Sequence, residues 1–497
     1  MKKRNLKERL ARLGAPTSRD RADETCDETS DETSEETPVG SDDTAAPGAG
    51  EQAAPGTQSD IAPVKDVASA KERLRRLLAA KGRGLEFAEA VKRLDAPPRP
   101  APRRAERLDL DAVVDGDWRE TAHGHVFVVE HLHPLDEGHA GVSLGDLLDC
   151  GTAGLAGLES RCPADFDFSR AVFLDTETTG LAGGTGTLPF LVGVGRFTAA
   201  GYLLRQLFID SPAAERGQLD LLAEWLDDCS GLVTYNGRAF DWPLLRTRYL
   251  LNGLRPSFIE RTPDHVDLLA WARRLWRHRL PSCSLAEVER GVLAVERHGD
   301  IPGAEIPALY FAYLRGAPVT ERLGRIFYHN EQDICSLPVL AARALRLAAE
   351  PLQHYQCPTE LFGLGLLDYY TDVRSELWEA ALAEGLDDEL RRRACWELSL
   401  HYKRAADFER ARPLWAELRR GPYDARPYEE EAKFLEHRVG RYAEAAELVE
   451  EALGRARRVL TDPVRRERDL ARLEHRRERL RRRLAGRDVT PPQEEEP

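Results

Sequence analysis

Two carboxylic acids close an apolar run in the stretch FLDTETTGL, residues 173–181, and they restrict what this segment can form. The run is typical of a buried strand, in which Asp175 and Glu177 point to the same face because side chains alternate. Two adjacent carboxylates repel each other unless they share a proton or a cation. A strand that ends in solvated acids remains an alternative at this point. A hard divalent cation such as Mg²⁺ or Mn²⁺ accepts oxygen ligands of this kind.

The surrounding region alternates between strand-like and helix-like segments. Strands are predicted at 171–175, 190–197, 202–209 and 231–236, and helices at 218–229 and 240–253. Strands that meet at short turns, followed by helix, strand and helix, predict an α/β fold with a mixed sheet and flanking helices.

Two later stretches provide further polar residues for the same site. In TYNGRAFDWPLL, residues 234–245, Asp241 follows a strand and a turn at the start of a helix. In YHNEQDICSL, residues 328–337, His329 and Asp333 are four residues apart and share one helix face. The apolar residues that would anchor the other side of this helix are Ile334, Leu337 and Leu340.

These motifs carry a family resemblance. D-x-E after a strand, N-x-x-x-F-D about sixty residues on and H/Y-x-x-x-D on a late helix resemble the DEDD exonuclease superfamily, which has an RNase H-like fold. DTETTGLAGGTGTLPFLVGVG (175–195), HVDLLAWARRLW (265–276), SLAEVERG with the RHGDIPGAEIP run, and HNEQDI are similar to the YprB-like RNase H-like family. The resemblance covers roughly residues 165–350.

The resemblance implies a metal-dependent nuclease, a 3′–5′ exonuclease that uses two Mg²⁺ or Mn²⁺ ions. The implied metal-binding acids are Asp175, Glu177, Asp241 and Asp333. The superfamily places Tyr four residues, or His five residues, before the last acid. Here His329 stands at minus four and Tyr328 at minus five, and helix geometry favours His329 as the residue that orients the water.

Four residues are candidates for secondary roles. By the same resemblance Thr178 and Thr179 contact a terminal nucleotide, although a turn-forming pair is the alternative. Asn236 either positions substrate or caps its turn, and Tyr328 is a further substrate contact. We interpret Asp267 as a structural acid.

A histidine-rich strand precedes the acidic motifs. HVFVVEHLHPL, residues 125–135, has the β-branched and aromatic content of a strand, and His131-x-His133 makes a metal site geometrically possible. No cysteine or tight carboxylate set lies nearby in the sequence. We therefore interpret these as exposed histidines near a sheet edge.

WARRLWRHRL, residues 271–280, interleaves Trp271 and Trp276 with arginines. That pattern suits stacking and phosphate pairing with single-stranded nucleic acid. An amphipathic helix with buried tryptophans and a solvated arginine face is the alternative.

The chain divides into five predicted segments. Residues 1–105 are a disordered tail with short helices, 106–164 a β-containing lead-in and 165–350 the RNase H-like domain. A TPR-like helical domain follows at 351–487, and 488–497 is a second tail. The net charge of −14 is concentrated in part in the acidic repeat at 23–38, so it does not exclude a nucleic-acid partner.

The helical region contains an internal repeat. DFERARPLWAEL (407–418) and RYAEAAELVEEA (441–452) match at the 34-residue spacing of tetratricopeptide (TPR) repeats, which makes a protein partner possible. The basic stretch 465–487 is either a solvated capping helix or a contact to a nucleic-acid backbone.

Composition excludes some classes of protein. No window has the apolar length of a membrane span, and the N-terminus lacks the core of a signal peptide, so we expect a cytoplasmic protein. The eight scattered cysteines include no C-x-x-C pair and fit reduced thiols. The expected partner is a single-stranded nucleic-acid end. An endonuclease on the same fold and a non-catalytic binding scaffold are the rival functions.

Overall fold

The structure is a computed structural model that describes residues 110–139, 141–159, 162–163, 165–180, 186–261 and 263–487. The predicted tails at 1–105 and 488–497 lie outside the described residues. Within the described part, one sheet has the strand order β1-β2-β7-β6-β5-β8-β9, and β3 pairs with β4. The strands are β1 Asp117–Thr121, β2 Gly124–His133, β3 Gly138–His139, β4 Val142–Ser143, β5 Val172–Thr178, β6 Pro189–Thr198, β7 Gly201–Phe208, β8 Gly231–Thr234 and β9 Asp264–Asp267.

Helices flank this sheet and then continue alone to the end of the described chain. The α-helices are α1 Asp146–Asp149, α2 Leu155–Leu158, α3 Glu215–Leu226, α4 Asp241–Leu251, α5 Ser257–Arg261, α6 Leu268–Leu275, α7 Leu285–Val288, α8 Ile306–Leu314, α9 Thr320–Ala349, α10 Pro351–His354, α11 Pro358–Gly365, α12 Arg374–Glu384, α13 Asp388–Arg404, α14 Phe408–Arg420, α15 Ala425–Phe434, α16 Tyr442–Val459 and α17 Pro463–Arg487. Short 3₁₀ turns lie at Leu110–Ala112, Thr152–Gly154, Phe168–Arg170, Pro212–Ala214, Gly303–Glu305 and Asp368–Tyr370, and π turns at Glu289–Leu293 and Leu435–Val439.

The sheet is mixed, as the sequence predicts. β5, β6, β7, β2 and β1 pair antiparallel in that order, whereas β8 is parallel to β5 and β9 is parallel to β8. Antiparallel neighbours need only a tight turn, whereas parallel neighbours need a crossover, which α4 and α5 supply between β8 and β9. The predicted strand at 125–135 is β2. It lies between β1 and β7, but the edge strand β1 pairs only with residues 124–128, so His131 and His133 stand on a part of β2 that pairs with β7 alone, near the sheet edge as expected. Only 13% of the His133 side chain is exposed, so the expectation of an exposed side chain is wrong for that residue.

Alternation along β5 separates two hydrophobic cores. Phe173 belongs to one core, and Val172 and Leu174 belong to the core on the other face of the sheet. The first core also contains Ile334 of α9 and Trp415 of α14, so it continues from the sheet into the C-terminal helices. Asp175 and Glu177 follow Phe173 at period two and therefore face this side.

The long helix α9 packs close to the sheet, and two glycines of β6 permit it. A Cβ atom on Gly193 would lie 2.1 Å from Oδ1 of Asn330 on α9. One on Gly195 would lie 2.9 Å from Cγ2 of Ile334 on α9 and 2.1 Å from the hydroxyl of Tyr202 on β7. Real Cβ contacts are never so short. The GVG sequence of β6 is thus explained by the space that the side chains of Asn330 and Tyr202 occupy.

The C-terminal helices repeat their backbone at the predicted interval. Ala406 and Gly440, 34 positions apart, are both left-handed, with φ of 57° and 73°, just before α14 and α16. The matched core positions Ala411 and Ala445 are both fully buried, as are Trp415 and Val449. These features agree with a 34-residue repeat, while the TPR assignment stays a prediction.

The basic helix α17 uses several of its arginines within the protein. Arg472 is paired with Glu429, and Arg479 with Glu436, and both glutamates are less than a tenth exposed. This pairing favours the capping interpretation of α17. In the segment 271–280, Trp271 and Trp276 are fully buried, so the prediction that these two rings stack on nucleic acid is wrong. The alternative with buried tryptophans is the one observed.

Within the described residues, no helix combines the length and the apolar character that a bilayer crossing requires. The seven cysteines of the described part are free thiols.

Candidate active site

Two parallel strands bring three acids to one edge of the sheet. Asp175 and Glu177 stand near the carboxyl end of β5, beside a register shift at Glu177/Thr178. Asp241 is the first residue of α4, which follows β8, the parallel neighbour of β5. The carboxyl ends of parallel strands meet at the same edge, where α/β sheets bind their ligands. Asp241 is 4% exposed and accepts a hydrogen bond from the Thr176 hydroxyl.

Helix α9 contributes the remaining predicted residues. His329 Nε2 lies 3.9 Å from Glu177 Oε1 and 3.8 Å from Asp333 Oδ2. On the next residue, Asn330 Nδ2 donates to Asp175 Oδ2 at 2.9 Å. The structure therefore places His329 and Asp333 against the two acids of β5.

The acids perturb one another electrostatically. Burial raises the pKa of Asp175 well above its ordinary value, and the charges of Asp333 and Asp241 raise it further. Burial also raises the pKa of Glu177, with Asp175 as the next cause. Burial raises the pKa of Asp241 to about 6. Carboxylates that resist ionisation in this way are stabilised as anions by a nearby cation. An oxygen-only set of this kind fits Mg²⁺ or Mn²⁺.

Arg297 is a residue of this site that the sequence did not reveal. Its guanidinium group donates to Asp333, to Glu289 and, at 3.2 Å, to Asp300. Although burial disfavours the charge, Asp333 and Glu289 raise the pKa of Arg297. Asp333 thus turns Oδ1 to Arg297 and Oδ2 to the side of His329.

Asp300 is the second such residue, and it orients the histidine. Nδ1 of His329 lies 2.9 Å from both carboxylate oxygens of Asp300. A carboxylate can only accept, so Nδ1 carries the proton and Nε2, which faces Glu177 and Asp333, is the acceptor. The backbone N–H of Ile301 donates to Asp300 Oδ1 at 2.7 Å and holds the carboxylate in place.

Asn330 is the third, and its orientation is fixed by Gln206. Gln206 Nε2 donates to Asn330 Oδ1 at 2.9 Å and to the carbonyl of Phe327 at 2.8 Å. Since Oδ1 accepts this bond, the amide nitrogen of Asn330 must face Asp175. Asn330 is fully buried. It therefore anchors Asp175 from the helix.

The candidate substrate residues make local hydrogen bonds. The hydroxyl of Thr178 donates to the carbonyl of Gly180 at 2.9 Å, and that of Thr179 accepts from the Leu188 N–H at 3.0 Å. Both bonds stabilise the turn after β5. Tyr328 is half-buried on α9. The substrate roles of Thr178, Thr179 and Tyr328 stay predictions.

Asn236 and Asp267 shape the loop before α4. Asn236 has a left-handed backbone with φ of 66°, which asparagine tolerates, and its side chain is exposed. Its N–H donates to Asp267 Oδ1 at 2.8 Å, and the same oxygen caps α6 through Leu269 N–H at 3.1 Å. Asp267 is thus a structural acid. A substrate role for Asn236 stays a prediction.

Comparison with known proteins places the chain in a family. A family model of the RNase_H superfamily matches residues 172–345. The uncharacterized protein YprB of Bacillus subtilis (strain 168) is 32% identical over an alignment of 348 residues, which covers 67% of this chain and 81% of that protein. The chain belongs to the YprB family. Among solved structures, the family B DNA polymerase of the archaeon Pyrobaculum calidifontis is similar, with 17% identity and a TM-score of 0.28. The match covers 41% of this chain and 29% of the polymerase.

In this YprB-family chain the superfamily match coincides with the site. The matched span begins at β5 and ends within α9, so it contains the four acids and the histidine. Strands β1 and β2 lie before it and extend the sheet beyond β7.

Proposed function

We propose that this YprB-family protein is a metal-dependent nuclease that hydrolyses phosphodiester bonds as a 3′–5′ exonuclease on single-stranded ends. The observation that carries the proposal is the set of mutually repelling, largely buried carboxylates, of which Glu177 and Asp333 face His329. In the proposal, two Mg²⁺ or Mn²⁺ ions bind to Asp175, Glu177, Asp241 and Asp333. Membership in the RNase_H superfamily supports hydrolysis of nucleic acid.

Bound divalent ions supply positive charge to the attacking and leaving oxygens of the phosphodiester. Several carboxylates are needed because two dications carry four charges, of which the phosphate balances one. Asn330 keeps one oxygen of Asp175 in a hydrogen bond at 2.9 Å and so fixes the rotamer of that acid.

The Asp300–His329 pair has the geometry of a general base. Asp300 holds the proton of Nδ1, so the lone pair of Nε2 points to the space between Glu177 and Asp333. A water molecule there can transfer a proton to Nε2 as it attacks phosphorus. General-base assistance of this type is worth about 10²–10⁴-fold in rate.

The experiment that tests the proposal is a nuclease panel with Mn²⁺ or Mg²⁺. The substrates are linear single strands of DNA and RNA, labelled at either end, and a circular single strand. We expect 3′-labelled linear strands to release labelled mononucleotides at once, and circles to stay intact. Cleavage of circles would show that the protein is an endonuclease and not an exonuclease. The absence of cleavage of every substrate would refute nuclease activity.

We propose the same division of labour along the chain as the sequence predicts. Residues 165–350 form the nuclease domain, and the TPR-like helices of 351–487 bind a protein partner in the cytoplasm. The 34-residue recurrence of Ala406 and Gly440 supports the repeat. Pull-down with a 374–487 deletion variant beside the full chain tests the partner role, which equal capture of the same partner would contradict.

A further inference from the structure

Helix α9 meets strand β2 at a second group of ligand-type side chains. His131 and His133 alternate on one face of β2, and Glu331 and Cys335 are four residues apart on α9. The two elements are about two hundred residues apart in the sequence. The group therefore exists only in the folded chain.

The donor atoms of this group are close together. Glu331 Oε1 lies 3.0 Å from His131 Nδ1 and 3.2 Å from His133 Nε2, and the donor atoms of the trio are all within 4.8 Å. Cys335 Sγ lies 3.6 Å from His133 Nε2. Ligands at about 2.0–2.3 Å from a tetrahedral zinc ion are separated by roughly 3.3–3.7 Å. The separations from Glu331 to each histidine and from Cys335 to His133 are within a few tenths of an ångström of that range.

The orientation of His133 is also that of a metal ligand. Its Nδ1 lies 3.0 Å from Glu137 Oε2, a carboxylate that can only accept, so Nδ1 carries a proton. Nε2 faces Glu331 and Cys335, and with a cation bound it would direct its lone pair to the ion. A histidine ligand whose other nitrogen donates to a carboxylate is the usual outer arrangement of zinc sites.

Two imidazole nitrogens on a single carboxylate oxygen have two physical solutions. Either both rings donate protons to Glu331, or a cation lies between the three groups. The second solution needs neutral histidines and leaves the charges balanced, because Glu331 and a Cys335 thiolate together neutralise a dication. Nitrogen, oxygen and sulfur donors select zinc over Mg²⁺.

We propose that His131, His133 and Glu331 bind one Zn²⁺ ion, with Cys335 as the fourth ligand, and that this ion ties α9 to β2. The site is separate from the carboxylate set. His329 and Asp333 face β5, whereas Glu331 and Cys335 face β2. The function of the zinc site is to hold α9, the helix that carries His329 and Asp333, at a fixed position on the sheet. The proposal does not depend on the proposed nuclease activity.

The test measures zinc and cobalt on the full chain in an Asp175→Asn background, which removes one acid of the other site. Metal-stripped protein is titrated with Zn²⁺, and bound metal is counted by mass spectrometry after dialysis. We expect one zinc ion per chain, and at least a tenfold weaker affinity in His133→Ala and Glu331→Gln. Glu137→Gln should weaken binding by about 10–100-fold, because it removes the orienting carboxylate. His123→Ala, in the turn between β1 and β2, is the matched control and should bind like the parent.

Cobalt distinguishes a cysteine ligand from a bystander. The Co²⁺ form should show the intense visible bands of a tetrahedral site and a thiolate charge-transfer band that Cys335→Ser removes. Zn²⁺ should raise the thermal midpoint of the parent and leave that of Glu331→Gln unchanged, which covers the case in which His133→Ala fails to fold. Absence of stoichiometric zinc, or equal zinc in the parent and in Glu331→Gln, would overturn the proposal in favour of a hydrogen-bonded cluster alone.

Discussion

Asp300→Asn isolates the contribution of the residue that orients His329. The substitution keeps the size of the side chain and an oxygen for the Ile301 N–H, but it weakens the acceptor for Nδ1 of His329. The amide can instead donate to Nδ1, which leaves the proton on Nε2, the wrong nitrogen for a base. The folded chain should be retained, since Arg297 still contacts Glu289 and Asp333.

The size of the effect follows from the bond that is lost. A hydrogen bond to a charged group is worth about 1.5–3 kcal/mol, which corresponds to about 10–150-fold in rate. His329→Ala sets the limit at about 10²–10⁴-fold, the range of general-base assistance. Because Asp300 acts through His329, adding Asp300→Asn to His329→Ala should cost nothing further, as expected for residues in one network.

The assay measures Mn²⁺-dependent release of labelled mononucleotide from a 3′-labelled single strand. From it, kcat and KM are determined over a range of pH. We expect kcat to fall and KM to stay constant in Asp300→Asn. Glu305→Gln is the matched control, because its partner Arg322 and Glu305 itself are about half exposed and such pairs contribute little. Parental kcat and an unchanged pH profile in Asp300→Asn, or additive losses in the double variant, would refute the role of Asp300.

Three further predictions concern stability. Gly193→Ala places a Cβ atom 2.1 Å from Asn330 Oδ1 and should lower the free energy of unfolding, measured in urea, by about 1–3 kcal/mol. Gly141→Ala measures the backbone cost alone, because Gly141 has a left-handed backbone and nothing lies within 4 Å of its Cβ position. Arg297→Met leaves Glu289, which is 1% exposed, without its cation, and it should lower the free energy of unfolding by about 3–5 kcal/mol. A decrease below about 1 kcal/mol would contradict the stabilising role of this ion pair. Burial lowers the pKa of His265 from 6.5 to about 4, so the unfolded state binds more protons between these values and stability falls as the pH drops. The decrease in the free energy of unfolding should approach roughly 3 kcal/mol near pH 4. If His265→Gln has the same pH dependence of stability as the parent, burial of His265 is not its cause.

The sequence was sufficient for those parts of the site whose spacing is local. Asp175 and Glu177 share a strand face, and His329 and Asp333 share a helix face, so each pair is visible as a period of two or four. The mixed sheet was predictable for the same reason, since each strand and helix has its own periodicity. The assembly of these pairs into one site was inferred from a family resemblance.

The residues that escaped prediction act across long separations. Arg297 and Asp300 lie in an irregular segment, and their contacts to α9 span about thirty residues. In the sequence Asn330 does not differ from the other polar residues of α9. Its burial depends on the close approach of Gly193 and on the hydrogen bond from Gln206. No periodicity records such contacts.

The contacts of the β2 histidines could not be predicted for a related reason. Their shared carboxylate partner, Glu331, is 200 residues away from His131, so the lack of a cysteine or a tight carboxylate set nearby in the sequence was uninformative. The strand itself was predicted correctly. Its pairing with β7 along 127–133 and with β1 along 124–128 is not encoded by a single strand pattern.

The most direct measurement of the central claim compares the parent chain with Asp175→Asn, which keeps the side-chain shape and removes one charge. Mn²⁺ binding is followed by calorimetry, and release of nucleotides from a 3′-labelled single strand by gel, on the same preparations. The carboxylate set predicts that the variant stays folded, loses Mn²⁺ affinity and loses nearly all hydrolysis. Full hydrolysis in Asp175→Asn, or Mn²⁺ binding equal to that of the parent, would contradict the assignment of these acids.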